Sequence, residues 1–132
     1  MDVSFPKKEH LCLKRRFDAL LAQGKSFFIY PFRVIYLLRD PDSDPAPVQV
    51  AISVRKKQFK HAVTRNLIKR RFRESWRHQK TGLTTCITAQ NKSLSILMVY
   101  GASEVLPFSE IDTRLKLVMH RLIELVTSDE SQ

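Results

Sequence analysis

The sequence VRKKQFKHAVTRNLIKRRFRESWR, residues 54–77, decides the fold of this chain. Ten of its 24 residues are Lys or Arg, and Glu74 is its single acidic residue. Apolar residues recur through the stretch, mostly at three- and four-residue spacing: Val63, Leu67, Ile68, Phe72 and Trp76. Such spacing is typical of an amphipathic helix, in which one stripe packs on the protein and the rest faces solvent. We therefore predict a basic helix that begins near His61 and ends near Gln79.

At about 100° per residue, the apolar and basic side chains of this helix separate into two adjacent stripes. Ile68, Phe72 and Trp76 form the apolar stripe. The polar stripe contains Asn66, Lys69, Arg70, Arg73 and Arg77. Like charges four residues apart destabilise an isolated helix by roughly a few tenths of a kcal/mol per pair, so we expect these charges to face a polyanion. The alternative is a solvated helix face that binds nothing specific.

The charge of the whole chain agrees with that expectation. With 23 Lys and Arg against 13 Asp and Glu, the 132 residues carry a formal net charge of +10. A cationic folded protein is attracted to nucleic acid or to an anionic membrane surface. Net charge can also serve solubility alone, but here it is concentrated in one segment. RNA is the polyanion that we expect.

Length and composition predict one domain. A chain of 132 residues with 43% hydrophobic residues can bury a core of its own. We expect a single RNA-binding domain over residues 1–132, with residues 1–10 and 127–132 flexible. Two cysteines, Cys12 and Cys86, are too few for a disulfide framework, and neither a secretory signal nor a membrane-spanning apolar run is visible. The expected location is the cytoplasm, with no membrane contact and no obligate protein partner.

The sequence shows no set of residues typical of a catalytic or metal site. Its 3 glycines do not form a phosphate-binding loop. The acidic residues Asp40, Asp42 and Asp44 lie in a proline-rich segment that is typical of a turn rather than of a carboxylate metal site. His10 and Cys12 lack the second pair of ligands that a zinc site needs. We expect no catalytic residue and no cofactor bound by the protein itself.

Flanking patterns predict the other elements. A helix from about Leu11 ends at Gly24, which would adopt a left-handed cap conformation. Two strands, residues 27–30 and 32–39, follow on either side of Pro31. Residues 40–47 are expected to form a loop, and residues 80–93 a loop or insertion. A strand at 94–100 precedes a last helix, which Ser109 and Asp112 would open as a capping box.

The cleanest strand is residues 48–54, because its apolar residues alternate. Val48, Val50, Ile52 and Val54 face one side, where they suit a core. Gln49, Ala51 and Ser53 face the other side, which could be an open floor for a ligand. The element order is thus αβββαβα, an α+β fold with a sheet of about four strands and helices packed on it.

Residues 53–77 closely resemble the signature of the protein component of bacterial ribonuclease P. The family pattern joins a strand that ends in Ser-Val-x-Lys-Lys to a helix with Arg-Asn-x-x-Lys-Arg-x-x-Arg-Glu. Residues 53–57 match the first part, and the second part is matched by Arg65, Asn66, Lys69, Arg70, Arg73 and Glu74. The resemblance covers roughly residues 11–126. It implies a compact α/β sandwich with an unusual left-handed βαβ crossover, whereas such crossovers are right-handed by default.

The resemblance also implies a function and site residues. Family members are the small subunit of a ribonucleoprotein that removes the 5′ leader of precursor tRNA, and the RNA subunit carries the chemistry with Mg²⁺. Contacts with the catalytic RNA are implied or expected for Lys57, Arg65, Asn66, Lys69, Arg70, Arg73 and Arg77. The cleft that holds the single-stranded leader would be lined by Phe17, Leu21, Tyr36, Ser53 and Lys56. Aromatic side chains suit sequence-tolerant stacking, although Phe17 and Tyr36 could equally belong to an ordinary core.

Two other classes of function fit the charge. A general RNA-binding or ribosome-associated protein would bind many RNAs and have no role in cleavage. A DNA-binding regulator fits less well, because the sequence has no helix-turn-helix pair and no dimer signal.

Overall fold

The computed structural model describes residues 14–40 and 46–130, which form three helices and one sheet. The elements are α1 (Lys14–Gln23), β1 (Lys25–Ile29), β2 (Phe32–Arg39), β3 (Val48–Val54), α2 (Ala62–Ala89), β4 (Ser93–Tyr100) and α3 (Phe108–Glu130). This order confirms the predicted α+β fold. The expected helical residues 11–13, the flexible residues 1–10 and the acidic residues of the 40–47 loop beyond Asp40 lie outside the described part of the chain.

The sheet is mixed, with the strand order β1-β2-β4-β3. β1, β2 and β4 pair antiparallel, whereas β3 pairs with β4 in parallel. Because parallel neighbours need a crossover, β3, α2 and β4 form a βαβ unit, as expected. The left hand of this crossover stays a prediction.

One face of the sheet packs on α2 and α3 and carries the main core. The pairings of Val34 with Met98, and of Met98 with Ile52, place three strands' side chains on this face. The ring centroids of Phe32 and Phe72 lie 5.9 Å apart, which joins β2 to α2. The buried helical residues in this core are Ile68, Phe72, Trp76, Leu83, Ile87, Ile111, Leu115, Val118, Met119, Leu122 and Val126. The predicted apolar stripe of α2 is therefore the one that packs on the sheet.

The opposite face of the sheet is covered by α1 over part of its area. Gln49, which alternates with the core-facing Val48 and Val50, accepts a hydrogen bond of 3.1 Å from the guanidinium of Arg16. Leu20 is fully buried between α1 and the sheet, apart from the main core. The open floor expected at Gln49 is therefore closed by α1, while Ala51 and Ser53 stay half-exposed.

The basic helix is longer than predicted, because residues 80–89 continue it instead of forming a loop. Leu83 and Ile87 are fully buried and extend the stripe of Ile68, Phe72 and Trp76 by about three more turns. The run of threonines and Gly82 favours a loop locally. Burial of Leu83 and Ile87 against the core outweighs that preference, so the helix persists to Ala89.

The start of α3 also differs from the prediction. The helix begins at Phe108, and the carbonyl of Pro107 accepts hydrogen bonds from the amides of Glu110 and Ile111 at 3.1 Å each. Ser109 is therefore inside the helix and does not cap it. The carboxylate of Asp112 instead faces α2. The helix continues to Glu130, past the point where a flexible tail was expected.

A polar cluster joins α2 to α3 within the otherwise apolar interface. Asp112 Oδ1 accepts hydrogen bonds from Ser75 Oγ at 2.7 Å and from Gln79 Nε2 at 2.8 Å. Ser75 is fully buried, so its hydroxyl needs this partner. Arg71 adds a bond of 2.6 Å to the carbonyl of Leu106 before α3. These contacts fix how α2 is rotated on the sheet, and thereby which of its faces reaches solvent.

Two glycines allow a matched test of the packing. Gly24 follows the end of α1 as predicted, but not in the left-handed conformation that we expected, because no described glycine has positive φ. Glycine is needed there because the backbone is close by: a Cβ at Gly24 would overlap the carbonyl oxygen of Leu20. A Cβ at Gly82 would meet nothing closer than Ile123 Cδ1 at 3.9 Å.

We expect Gly24→Ala to lower the free energy of unfolding by about 1–3 kcal/mol, because the chain has to shift there. Gly82→Ala should raise it by about 0.5–1 kcal/mol, because alanine loses less conformational freedom on entering a helix. Denaturant unfolding of the two variants measures both changes in the free energy of unfolding and their opposite signs. A neutral or stabilising Gly24→Ala would contradict the close approach.

Candidate nucleic-acid interface

An open groove of about 810 Å³ follows the exposed side of α2. Its lining residues recur at three- and four-residue spacing along one helix face: Val63, Asn66, Leu67, Arg70, Arg73, Glu74 and Arg77. This face points away from the stripe of Ile68, Phe72 and Trp76, since residues on opposite faces of a helix differ by about 180°. The packing of α2 on the sheet therefore presents a cationic face to solvent, as the sequence predicts.

The predicted RNA-contacting residues of α2 differ in their exposure and in whether their side chains already have hydrogen-bond partners. Asn66, Arg70 and Arg73 are exposed, and no residue in the described ranges 14–40 and 46–130 bonds their side chains. Lys69 is half-buried beside the groove. Arg77 also lines the groove but is bound by a carboxylate. Three side chains of the predicted row are thus available to a ligand without breaking a described contact.

Glu74 orients Arg77 within the groove. Its two carboxylate oxygens accept hydrogen bonds from Arg77 Nη2 at 2.7 Å and Nε at 2.9 Å. His78 Nε2 lies 3.2 Å from Glu74 Oε1. The hydrogen bonds from Arg77 hold the pKa of the Glu74 carboxyl below its usual range. The carboxylate therefore stays ionised at neutral pH and keeps one arginine of the row in a fixed orientation.

Arg65 points to the loop before α2 rather than along the groove. Its Nη1 donates to the carbonyl of Phe59 at 2.8 Å and to that of Lys60 at 3.0 Å. Phe59 is buried and its ring lies 6.0 Å from that of Tyr100. Lys56 and Lys57 are exposed in this loop, between the end of β3 and the start of α2. Arg65 thus fastens the end of this loop, at Phe59 and Lys60, to the helix, with its remaining guanidinium nitrogens left for another ligand.

The predicted leader cleft corresponds to the place where α1 leaves the sheet uncovered. Phe17 and Leu21 are one turn apart on α1, Phe17 half-buried and Leu21 63% exposed. Ser53 is half-exposed on the sheet face that α1 covers, close in sequence to Lys56. Four of the five predicted cleft residues are therefore on α1, on this face or on the adjoining loop.

Tyr36 is the exception, and its predicted place in the cleft is wrong. The strand register pairs Tyr36 with Ile96, and Ile96 with Val50, so its side chain lies on the face that packs on α2 and α3. It is only 4% exposed and its ring lies 6.0 Å from that of Phe27. Because Ser53 is on the opposite face, one cleft does not contain both side chains. Tyr36 belongs to the core.

The register instead brings Arg33 and Phe28 to the face that carries Ser53, and neither residue was predicted as part of a site from the sequence. Phe28 pairs with Arg33, Arg33 with Val99, and Val99 with Ser53, so the four residues form one row across all four strands. The alternation of Phe32, Val34 and Tyr36 with Arg33 is the sequence signal that could have found Arg33.

Two further features of the described residues concern metal ions and membranes. In residues 14–40 and 46–130, no three His, Cys, Asp or Glu side chains form a group that could hold a metal ion. Among the described helices, none is long and apolar enough to cross a membrane.

Comparisons with known proteins identify the family of this chain. The Ribonuclease P family model matches residues 5–123. The ribonuclease P protein component of Porphyromonas gingivalis is 30% identical over 122 residues, covering 92% of this chain and 88% of the relative. The corresponding protein of Chlorobium phaeobacteroides is 31% identical and covers 92% of this chain and 91% of the relative.

A solved structure shares the fold. The RNase P protein from Thermotoga maritima superposes with a TM-score of 0.65 at 24% identity, covering 86% of this chain and 96% of that chain. At such identity the likeness shows the fold alone, whereas the family model and the relatives extend over most of the sequence. The chain belongs to the bacterial ribonuclease P protein family.

Proposed function

We propose that this chain binds the catalytic RNA of ribonuclease P through the groove on α2, and the 5′ leader of precursor tRNA in the cleft beside α1. The chain is the protein component of the holoenzyme that cleaves tRNA precursors. The surfaces and their RNA ligands are the proposal. The observation that carries it is the exposed row of Asn66, Arg70 and Arg73 along one helix face.

The groove suits a structured RNA backbone. Arginine side chains hold phosphates with two parallel hydrogen bonds, and Arg70 and Arg73 have no described partner to give up. Asn66 can donate to and accept from a 2′-hydroxyl or a base edge. Lys57 and Lys69 extend the cationic surface at the edges of the groove, and Arg65 adds a guanidinium near the loop.

The cleft suits a single strand. Phe17 and Leu21 offer apolar surface on α1, and Ser53 offers a hydroxyl on the sheet. Lys56 lies in the loop that follows β3, where a cation can neutralise a leader phosphate. Base-stacking on an aromatic ring tolerates any sequence, which suits leaders that differ from one tRNA to the next.

In this proposal the RNA subunit performs the cleavage together with Mg²⁺, in the cytoplasm. We assign no residue of this chain as a ligand of that Mg²⁺, because no described side-chain group fits it. The contribution of the protein is to bind both RNAs and to reduce the repulsion between their phosphates, which Mg²⁺ alone would otherwise have to screen.

Reconstitution tests this function directly. We expect the purified protein, added to the cognate catalytic RNA, to permit cleavage of precursor tRNA at a Mg²⁺ concentration at which the RNA alone is inactive. The protein without RNA should leave the precursor intact. Gel analysis of the 5′-end product measures both. Cleavage by the protein alone would contradict the assignment of the chemistry to RNA.

The second candidate, a general RNA-binding protein, gives a different result in competition. It predicts that unrelated RNA competes as well as the catalytic RNA does. Preferential retention of the catalytic RNA over unrelated RNA and duplex DNA, measured in the same salt, supports the ribonuclease P assignment.

A further inference from the structure

The open face of the sheet continues beyond the proposed cleft. The row Ser53–Val99–Arg33–Phe28 crosses all four strands at the end of the sheet that α1 leaves uncovered. α1 lies over Gln49 of β3, and Gly24 at its end lies against Ile35 of β2. The helix therefore covers the rows of residues that contain Gln49 and Ile35, and not the row that contains Ser53 and Arg33. Three inter-strand steps of about 4.8 Å give the row a length of roughly 14 Å. A short run of nucleotides fits along it.

The far end of this row combines an aromatic ring with a cation. Phe28 is 59% exposed although it is a large apolar residue, and its ring edge lies 3.7 Å from where a Cβ at Gly101 would be. Arg33, its direct cross-strand neighbour, is exposed. No residue within the described parts of the chain bonds the Arg33 side chain. A ring and a free guanidinium side by side suit a base and its phosphate.

The row also has a direction relative to α2. α2 packs on β3 and β4, whereas β1 is the opposite edge strand, next to α3. We take the Ser53 end of the row, on the strand that packs against α2, as the end nearer the catalytic RNA and the cleavage site, and Phe28 as the remote end. Leader nucleotides further from the cleavage site would be the ones that reach β1.

We infer that Arg33 and Phe28 form a distal subsite for single-stranded RNA, which binds a leader phosphate and stacks a leader base beyond the cleft. This inference rests on the proposed leader cleft and extends it to the edge of the sheet. The subsite gives affinity that depends on leader length: short leaders end before β1, and longer leaders gain the contact. It takes any base, because stacking on Phe28 needs only a ring face.

The test measures binding of precursor tRNAs to the reconstituted holoenzyme, with leaders from about two to about ten nucleotides. We expect Phe28→Ala and Arg33→Ala to weaken binding of the long leaders roughly five- to tenfold and to leave the shortest leaders unchanged. Arg33→Ala should also reduce the salt dependence for long leaders by roughly 0.7 in log–log slope. Phe28→Tyr and Arg33→Lys should retain most of the affinity for long leaders.

Matched controls are Leu117→Ala and Arg121→Ala, which remove an exposed apolar residue and an exposed cation from α3. Loss that is equal for all leader lengths, or no larger than in these controls, would overturn the distal subsite. A wild-type holoenzyme whose affinity does not depend on leader length would overturn the leader cleft itself, and the subsite with it. The two failures are therefore distinguishable.

Discussion

Replacing Arg70 and Arg73 together with alanine is expected to weaken binding of the catalytic RNA by roughly 100-fold. Each lost charge-assisted contact contributes at least about 1.4 kcal/mol, and tenfold in affinity corresponds to that energy. The log–log dependence of affinity on salt should become less steep by roughly 1.4 to 1.8, because two phosphate contacts disappear. Filter binding of the RNA over a range of salt concentrations measures both quantities.

The double variant Lys116→Ala with Arg121→Ala is the matched control. It also removes two cations, but from exposed positions of α3. If the control weakened binding as much as the loss of Arg70 and Arg73, the effect would come from net charge and not from the groove on α2. Arg70 and Arg73 are exposed and no described residue bonds their side chains. Replacing them should therefore leave the unfolding free energy within about 0.5 kcal/mol of wild type.

Replacing Trp76 with alanine is expected to lower the free energy of unfolding by roughly 3–5 kcal/mol, as is typical for a large buried aromatic residue. Trp76 is 1% exposed and stacks on Phe72 with ring centroids 6.1 Å apart. It lies at the centre of the stripe by which α2 packs on the sheet. For a small domain this loss is a large part of the total stability.

Denaturant unfolding followed by circular dichroism gives the change for Trp76→Ala. Val63→Ala is the control on the same helix, because Val63 is 81% exposed and should change stability by no more than about 0.5 kcal/mol. RNA affinity of folded Trp76→Ala at low temperature should fall as well, since the row of cations is oriented by this packing. A Trp76→Ala variant as stable as wild type would contradict the placement of this stripe in the core.

The sequence was sufficient to predict an element where a clear hydrophobic periodicity coincides with burial of the apolar residues. β3 was predicted with its exact bounds, because alternation of Val48, Val50, Ile52 and Val54 is unambiguous over seven residues. The exposed row on α2 follows from the helical period once Phe72 and Trp76 are placed inside. The family resemblance supplied what periodicity lacks, namely the RNA ligand that we propose for this row.

Prediction failed where distant packing decides the outcome. Residues 80–89 have weak local preference for a helix, and burial of Leu83 and Ile87 in the core outweighs it. Tyr36 was assigned to the cleft because side-chain direction depends on strand register, which one strand alone does not define. Ser109 resembles a cap, but the carbonyl of Pro107 accepts the first hydrogen bonds of the helix, which therefore begins at Phe108.

The hydrogen bonds of Arg65 bear on how the two proposed RNA surfaces are held relative to each other. By holding the carbonyls of Phe59 and Lys60, Arg65 fastens the loop after β3 to the first turn of α2. This loop connects the strand of the proposed leader cleft to the helix of the proposed groove. In the proposed function, the fastened loop sets the separation of the two RNAs and thereby the register in which the protein presents the leader to the catalytic RNA.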